Sequence, residues 1–303
     1  MEELLKVSGL NKSFGKKQVL HGVDFTVASG RVVGLVGPNG AGKSTIMKSV
    51  LGLIPTDAGK IEIAGQPVAI TSHQALKHVG ALIEYPGIYP FLTGKQHLEL
   101  FAAKQDRSKH VQEIVQAMGM SGYINKPAKS YSLGMKQKLG IAQALVDQPQ
   151  LVILDEPMNG LDPQAVKDLR DIIRSRAQAG TSFLISSHIL SELEKVADDV
   201  LILDHGHIVQ QSTMQALTEA GGTTYLIKTV DDRAARAALV AAHIELVGDE
   251  FALRIPQRDK TTLNQALRAL VTAGIAIQEV DKAQHDLEQS FLDMVHTDKE
   301  AQA

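Results

Sequence analysis

Two periods of apolar residues run along this chain and divide it into strands and helices. Near the start the alternation is short: Leu5-Lys6-Val7, Val19-Leu20-His21, then Val23-Asp24-Phe25-Thr26-Val27. A period of two predicts antiparallel strands with one buried face. Val32-Val33-Gly34-Leu35-Val36 is apolar throughout, as a strand covered on both faces is, and Ile46–Leu51 reads as a helix. Gly59–Gly65 predicts a short strand and turn, Val79–Glu84 another strand, and Glu84–Pro90 a loop punctuated by proline and glycine. Thr93 stands where a helix cap belongs. Helical periods follow to about Lys104, over 108–119 and over 133–147, so 93–147 is mostly helical and inserted between strands. Leu151-Val152-Ile153-Leu154 is a second continuous apolar run, closed by Asp155-Glu156-Pro157. A helix over 163–179, a strand over 182–186, a helix over 189–197 and a hairpin around Asp204-His205-Gly206-His207 complete this part. Strands alternating with helices predict an α/β sheet.

Gly221-Gly222 marks a boundary, giving domains 1–221 and 222–303. Beyond it the pattern reads strand (Tyr225–Val230), helix (Arg233–Ala242), strand (Ile244–Val247), turn, strand (Phe251–Ile255), helix (Thr261–Ala273) and strand (Ile275–Val280). That order, βαββαβ, predicts a small ferredoxin-like α+β domain. A final helix over Asp286–Val295 has an apolar stripe at Leu287, Phe291 and Met294-Val295, and the tail from Lys299 is expected to be disordered.

Composition narrows the chemistry. The chain is 44% hydrophobic and 21% charged, as ordinary soluble proteins are. With a net charge of -3 and no cluster of basic residues, nucleic acid is disfavoured as a partner. Cysteine is absent, which excludes disulfides, thiolate metal sites and a cysteine nucleophile, and fits a reducing compartment. Met1-Glu2-Glu3-Leu4-Leu5-Lys6 is not a signal peptide. No apolar run approaches the roughly 18 residues of a membrane helix. If the chain acts at a membrane, a partner spans it.

The most informative stretch is Gly37-Pro38-Asn39-Gly40-Ala41-Gly42-Lys43-Ser44-Thr45. It is G-x-x-x-x-G-K-S/T between a predicted strand and a predicted helix, the context a phosphate-binding loop requires. Its glycines let successive amides point inward, and these join the helix N-terminus in a nest for phosphates. Lys43 is expected to reach the β- and γ-phosphates and Ser44 to hold Mg²⁺. Asp155, at the end of a buried strand, is a candidate for Mg²⁺ through its water shell, and Glu156 for polarising the attacking water. His188, following Ser186-Ser187 at a strand end, lies on the ligand side of such a sheet. Phe14 could stack on a purine ring. His205 and His207 read as turn residues.

These residues, with Tyr131-Ser132-Leu133-Gly134-Met135-Lys136-Gln137 and the helix after it, resemble the nucleotide-binding subunit of ATP-binding-cassette transporters over about residues 4–220. In physical terms, Ser132 and the amides of Leu133 and Gly134 open a helix whose N-terminus favours an anion. The resemblance implies a P-loop NTPase fold with an antiparallel β subdomain and a helical subdomain at about 93–147. It implies ATP sandwiched twice in a homodimer, between one subunit's phosphate loop and the other's Ser132 and Gly134. It also implies a D-loop at Asn159-Gly160-Leu161-Asp162, Phe14 as the adenine-stacking aromatic and His188 as the switch histidine. The activity implied is hydrolysis of ATP with Mg²⁺ at the cytoplasmic face of a membrane, energising a separate permease.

Two departures stand out. Leu133 and Met135 replace the usual Gly and Gln of the signature. Glu84 replaces the Gln of the loop that senses Mg²⁺ and touches the membrane subunit; a carboxylate can still accept from a Mg²⁺-bound water. Glu84, with Ile83-Glu84-Tyr85-Pro86 and Tyr89-Pro90-Phe91-Leu92-Thr93, resembles the branch exporting lantibiotics and bacitracin-like peptides. The C-terminal segment resembles the accessory domain of drug-exporting systems. A soluble cassette ATPase driving a non-transport machine is the alternative.

Overall fold

A computed structural model describes residues 2–221, 223–247, 252–258 and 261–284. The chain divides into two units, Met1–Met214 and Gln215–Ala303. The first opens with two long strands, β1 (Glu3–Phe14) and β2 (Lys17–Ala28), then β3 (Val32–Val36) and α1 (Lys43–Val50). After β4 (Ala58–Ile63), β5 (Gln66–Pro67) and β6 (Val79–Leu82) come three helices, α2 (Gly94–Phe101), α3 (Arg107–Ala117) and α4 (Leu133–Leu145). Then follow β7 (Leu151–Leu154), α5 (Pro163–Gln178), β8 (Ser182–Ser187), α6 (Leu190–Glu194), β9 (Asp199–Asp204) and β10 (His207–Thr213); α7 (Met214–Gly221) begins at the last residue of this unit and otherwise belongs to the second.

These strands form two sheets. One is antiparallel in the order β2-β1-β4-β5. The other runs β10-β9-β3-β8-β7-β6 and is parallel except for its edge strand β10. One core joins them: Leu5, Leu10, Leu20 and Phe25 of the antiparallel sheet meet Leu35, Ile153, Leu184 and Leu201 of the parallel one, with Ile46, Met47 and Val50 of α1. Burial on both faces explains the unbroken apolar runs at β3 and β7.

The parallel register positions the chemistry. Val36 lies opposite Ser187, and Leu154 opposite Ile185. The loops leaving β3, β7 and β8 therefore emerge together at the carboxyl edge, where α/β sheets bind ligands.

The expected antiparallel and helical parts are both present, with local differences. The short apolar runs before residue 30 fuse into two strands, because the β1–β2 pairing absorbs several register shifts that interrupt the alternation. One shift falls across Gly9, whose φ of 58° suits a residue without a Cβ. β6 stops at Leu82, since Glu84 takes a left-handed φ of 59° that no strand accommodates. The helix expected over 189–197 is regular only over Leu190–Glu194. Met214–Gly221, which runs up to the boundary expected at Gly221-Gly222, is helical.

The second unit contains β11 (Thr223–Thr229), α8 (Asp232–Ala241), β12 (Leu253–Pro256), α9 (Thr262–Thr272) and β13 (Ile277–Gln284). Its sheet is antiparallel, in the order β12-β11-β13. The strand expected over Ile244–Val247 is reduced to one bridge, Val247 to Arg254, which lies on the β12 side. Ile227, Leu253 and Ile255 pack with Ala235, Leu239, Ala266 and Leu270 of the two helices. The turn at 248–250, the start of the strand expected at Phe251, the helix expected at 286–295 and the tail from Lys299 lie outside the described residues.

Candidate functional site

The loop between β3 and α1 has the backbone the motif demands. A Cβ on Gly37 would sit 2.3 Å from the Leu203 carbonyl oxygen, so only glycine fits there. Gly40 and Gly42 have φ of 85° and 114°, beyond the reach of most side chains. Gly42 is the N-cap of α1, and α1 has neither a capping side chain nor an acid in its first turn. Its first amides are therefore free of protein carboxylates, the arrangement of an anion-binding helix end.

Lys43 is nearly buried, 6% exposed. Its Nζ donates to the carbonyls of Gly37 (2.7 Å) and Pro38 (3.3 Å) and lies 3.3 Å from Glu156 Oε1. The other oxygen of Glu156 is 2.9 Å from Nδ1 of His188. One carboxylate thus joins the loop lysine to the histidine after β8. Glu156 adopts a φ of 47°, a strained conformation for a side-chain-bearing residue and one often held at functional sites.

Asp155, 4% exposed, accepts from two hydroxyls: Ser44 Oγ at 2.7 Å on Oδ2 and Ser186 Oγ at 2.6 Å on Oδ1. Ser186 Oγ in turn accepts the Glu156 amide at 2.8 Å. Among the described residues no lysine, arginine or histidine pairs with Asp155. A buried carboxylate served only by neutral hydroxyls lacks a compensating positive charge. That is an observation of this structure which a bound cation fits.

The second constellation lies at the start of α4. Ser132 is its N-cap and accepts from the Met135 amide at 3.3 Å. A Cβ on Gly134 would come within 2.9 Å of the Gly160 carbonyl oxygen, so the helix start packs closely on the loop after Asn159. Leu133 is largely exposed. Tyr131, just before, is buried; its hydroxyl donates to the Tyr123 carbonyl (3.0 Å) and accepts from the Gly94 amide (3.2 Å). Burial pushes the Tyr123 hydroxyl up to about 12 and raises that of Tyr131. Asp162 is the N-cap of α5 and accepts from the Ala165 amide at 2.9 Å.

The family model described as "ABC transporter" matches residues 20–159. A lantibiotic transport ATP-binding protein of Streptococcus pyogenes, SrtF, is 40% identical over 68% of this chain and 89% of its own. The bacitracin transport ATP-binding protein BcrA of Bacillus licheniformis is 32% identical over 97% of this chain and 98% of its own. The chain belongs to the ATP-binding family of ABC transporters. A solved ATP-binding subunit of an ABC transporter, 31% identical, superposes with a TM-score of 0.67 over 72% of this chain and 92% of its own.

The protein is thus an ATP-binding, ATP-hydrolysing cassette, and its sequence motifs fall into two groups in space. Gly37–Thr45, Asp155, Glu156 and His188 come together through the contacts above. Ser132, Gly134 and the loop before Asp162 form a separate surface. Phe14 is half exposed, and one face of its ring carries Lys12, whose Nζ is 4.8 Å from the centroid. Glu84 does not join the Ser44–Asp155–Ser186 network; its carboxylate pairs with Lys48 Nζ of α1 at 2.5 Å. His205 lies in the β9–β10 turn with a φ of 43°, and His207 stacks on His21 at 4.5 Å. No cluster of three or more metal-binding side chains occurs among the described residues.

Sequence reasoning passed over Ser186 and Lys48. Ser186 was within reach: once β7 and β8 are neighbours in parallel, the residue after Leu154 must meet the residue after Ile185. Lys48 carries no such signal, because its partner depends on the left-handed turn at Glu84.

Proposed function

We propose that this cassette works as an ATP-sandwich homodimer at the cytoplasmic face of a membrane and energises a separate permease that exports antimicrobial peptides or drugs. The observation that carries the chemistry is the Lys43–Glu156–His188 chain at the carboxyl edge of the sheet. The loop amides and Lys43 bind the phosphates. Glu156 orients and deprotonates the attacking water, and His188 holds Glu156 in line from the other side. Ser44 and Asp155 would hold Mg²⁺, whose charge offsets that of the transferring phosphoryl group. Ser132 and the first amides of α4 face the γ-phosphate of the ATP held by the partner subunit, and Asp162, at the end of the D-loop, caps α5 beside that interface. Phe14 stacks on the adenine with the ring face that Lys12 leaves open.

No described helix is long and apolar enough to cross a membrane, so transport requires a spanning partner. A groove of about 360 Å³ between β6, α4 and the loop after Glu84 is lined by Leu82, Tyr85, Pro86, Phe101, Gly140 and Asp147. A cytoplasmic segment of the permease fits it, since its mostly apolar walls carry one ammonium, Lys77, and one carboxylate, Asp147. The export reading draws support from the likeness to SrtF and BcrA along with Glu84. The second domain, 222–303, is read as an accessory domain of the cassette.

The test is purification of the tagged protein from detergent-solubilised native membranes, with mass spectrometry of its partners. Stoichiometric recovery of a multi-spanning protein is expected, and deletion of that protein should sensitise cells to antimicrobial peptides. Recovery of soluble partners alone, with ATPase activity intact, would overturn the reading in favour of a non-transport machine.

A further inference from the structure

One buried cation of the first unit has no counter-charge. Lys12 of β1 is 5% exposed, although lysine is seldom buried without a partner. Among the described residues its ammonium meets no carboxylate and donates no hydrogen bond. What it meets is an aromatic face: Nζ stands 4.8 Å from the centroid of Phe14, two residues further along the same strand. Alternate residues of a strand share a face, so the contact is built into β1.

The pairing with β2 aims this face at the phosphate loop. Lys12 lies opposite Leu20 and Ser13 opposite Gln18, which leaves Val19 as an extra residue on β2. Residues opposite each other share a face, and Leu20 touches the loop: a Cβ on Gly42 would sit 2.8 Å from Leu20 Cδ2. The Val19 carbonyl oxygen lies 3.5 Å from the same point. Lys12 and Phe14 therefore stand on the nucleotide side of the β1–β2 ribbon. Phe14 is the outer of the two, half exposed, with few neighbours to fix its rotamer. A cation over one face fixes the ring without covering the other, and order imposed before binding reduces the entropic cost of binding. The cation also draws π density to its own side, so the open face meets the π cloud of a base with less repulsion.

We propose that Lys12 is a positioning residue for the nucleotide base: it acts through Phe14, fixing and polarising the ring so that its open face selects a purine. This rests on the reading that Phe14 stacks on adenine. It adds the charge behind the stack, and with it a source of base preference separate from the phosphate contacts of Lys43 and the loop amides. The preference is for two-ring bases, whose overlap with one phenyl face exceeds that of a pyrimidine.

The test compares Lys12→Met and Lys12→Gln, neutral side chains of similar reach, with Lys12→Arg, whose guanidinium still stacks on a ring. Lys16→Met, at an exposed lysine in the β1–β2 turn, is the control for net charge. Affinities for ATP, CTP and inorganic tripolyphosphate are measured by calorimetry without Mg²⁺, so that nothing is hydrolysed. In both neutral variants ATP is expected to bind about three- to fivefold more weakly, the factor for one cation–ring contact at a part-exposed site. CTP and tripolyphosphate should change by less than about twofold. Arginine should restore ATP binding, and Lys16→Met should leave all three affinities alone. In a Phe14→Leu background, Lys12→Met should have no further effect on ATP, since its effect runs through the ring. Should one neutral variant fail to fold, the other carries the comparison. Undiminished ATP affinity in the neutral variants would overturn the inference. So would equal losses for ATP and tripolyphosphate, which would make Lys12 a charge directed at the phosphates. Undiminished ATP affinity in Phe14→Leu alone would instead remove the stacking reading, and this inference with it.

Discussion

Replacing Ser186 by alanine removes one hydroxyl with two tasks. That hydroxyl donates to Asp155 Oδ1 at 2.6 Å and accepts the Glu156 amide at 2.8 Å, inside a completely buried side chain. The substitution leaves a buried carboxylate with one donor where it had two, and a backbone N–H with none. A hydrogen bond to a charged group contributes about 1.5–3 kcal/mol, and an orphaned buried donor costs about 1–3 kcal/mol. Because the groups adjoin and relax together, about 3 kcal/mol is the expected loss, a large share of the roughly 5–15 kcal/mol that holds a domain. Urea unfolding of the nucleotide-free protein, followed in the first unit, measures it. The same amide holds Glu156 at its left-handed φ of 47°. Without it the carboxylate drifts, and misplacement of about 1 Å can cost about 100-fold in rate. Lys43 and the loop amides are untouched, so ATP affinity should change by less than about threefold while kcat falls by about 10- to 100-fold. A stability loss under about 0.5 kcal/mol, or equal losses in affinity and turnover, would refute the reasoning.

Two further outcomes follow from geometry. Gly37→Ala forces a Cβ to 2.3 Å from the Leu203 carbonyl oxygen, so ATP affinity should collapse and stability fall by about 1–3 kcal/mol in calorimetry and nucleotide titration; wild-type values in both would contradict it. Lys48→Ala and Glu84→Gln break a pair on the protein surface, so unfolding should shift by less than about 1 kcal/mol. Both should keep basal ATPase activity while changing permease-stimulated turnover, and loss of nucleotide binding in either would contradict the assignment.

The strands that build the site were legible because burial on both faces leaves its mark as unbroken apolar runs, at Val32–Val36 and Leu151–Leu154. The phosphate loop was legible because its glycines answer to sterics, as the Leu203 oxygen beside Gly37 makes plain. Thr93 and Ser132 are side chains that cap helices, and capping is a local rule; Asp162, placed by resemblance in the D-loop, caps α5 as well. What escaped depended on distance in sequence. Ser186 meets Asp155 only through strand pairing, and Lys48 meets Glu84 only through the turn that leaves β6. Glu84 was expected near Mg²⁺; it takes a left-handed backbone and pairs with Lys48 of α1. The fusion of the first strands was hidden because register shifts break a period of two without ending a ladder.

The central claim is that Glu156 activates water in an ATP-bound dimer. Glu156→Gln keeps the shape of the side chain and its place between Lys43 and His188 while removing its charge. Measured together, ATP affinity and turnover should separate: binding within about threefold of wild type, hydrolysis slower by about 10²–10⁴-fold, or ~3–5 kcal/mol of barrier. With ATP the variant should elute as a stable dimer, and without ATP as a monomer. Near-normal turnover, or a monomer at saturating ATP, would contradict the account.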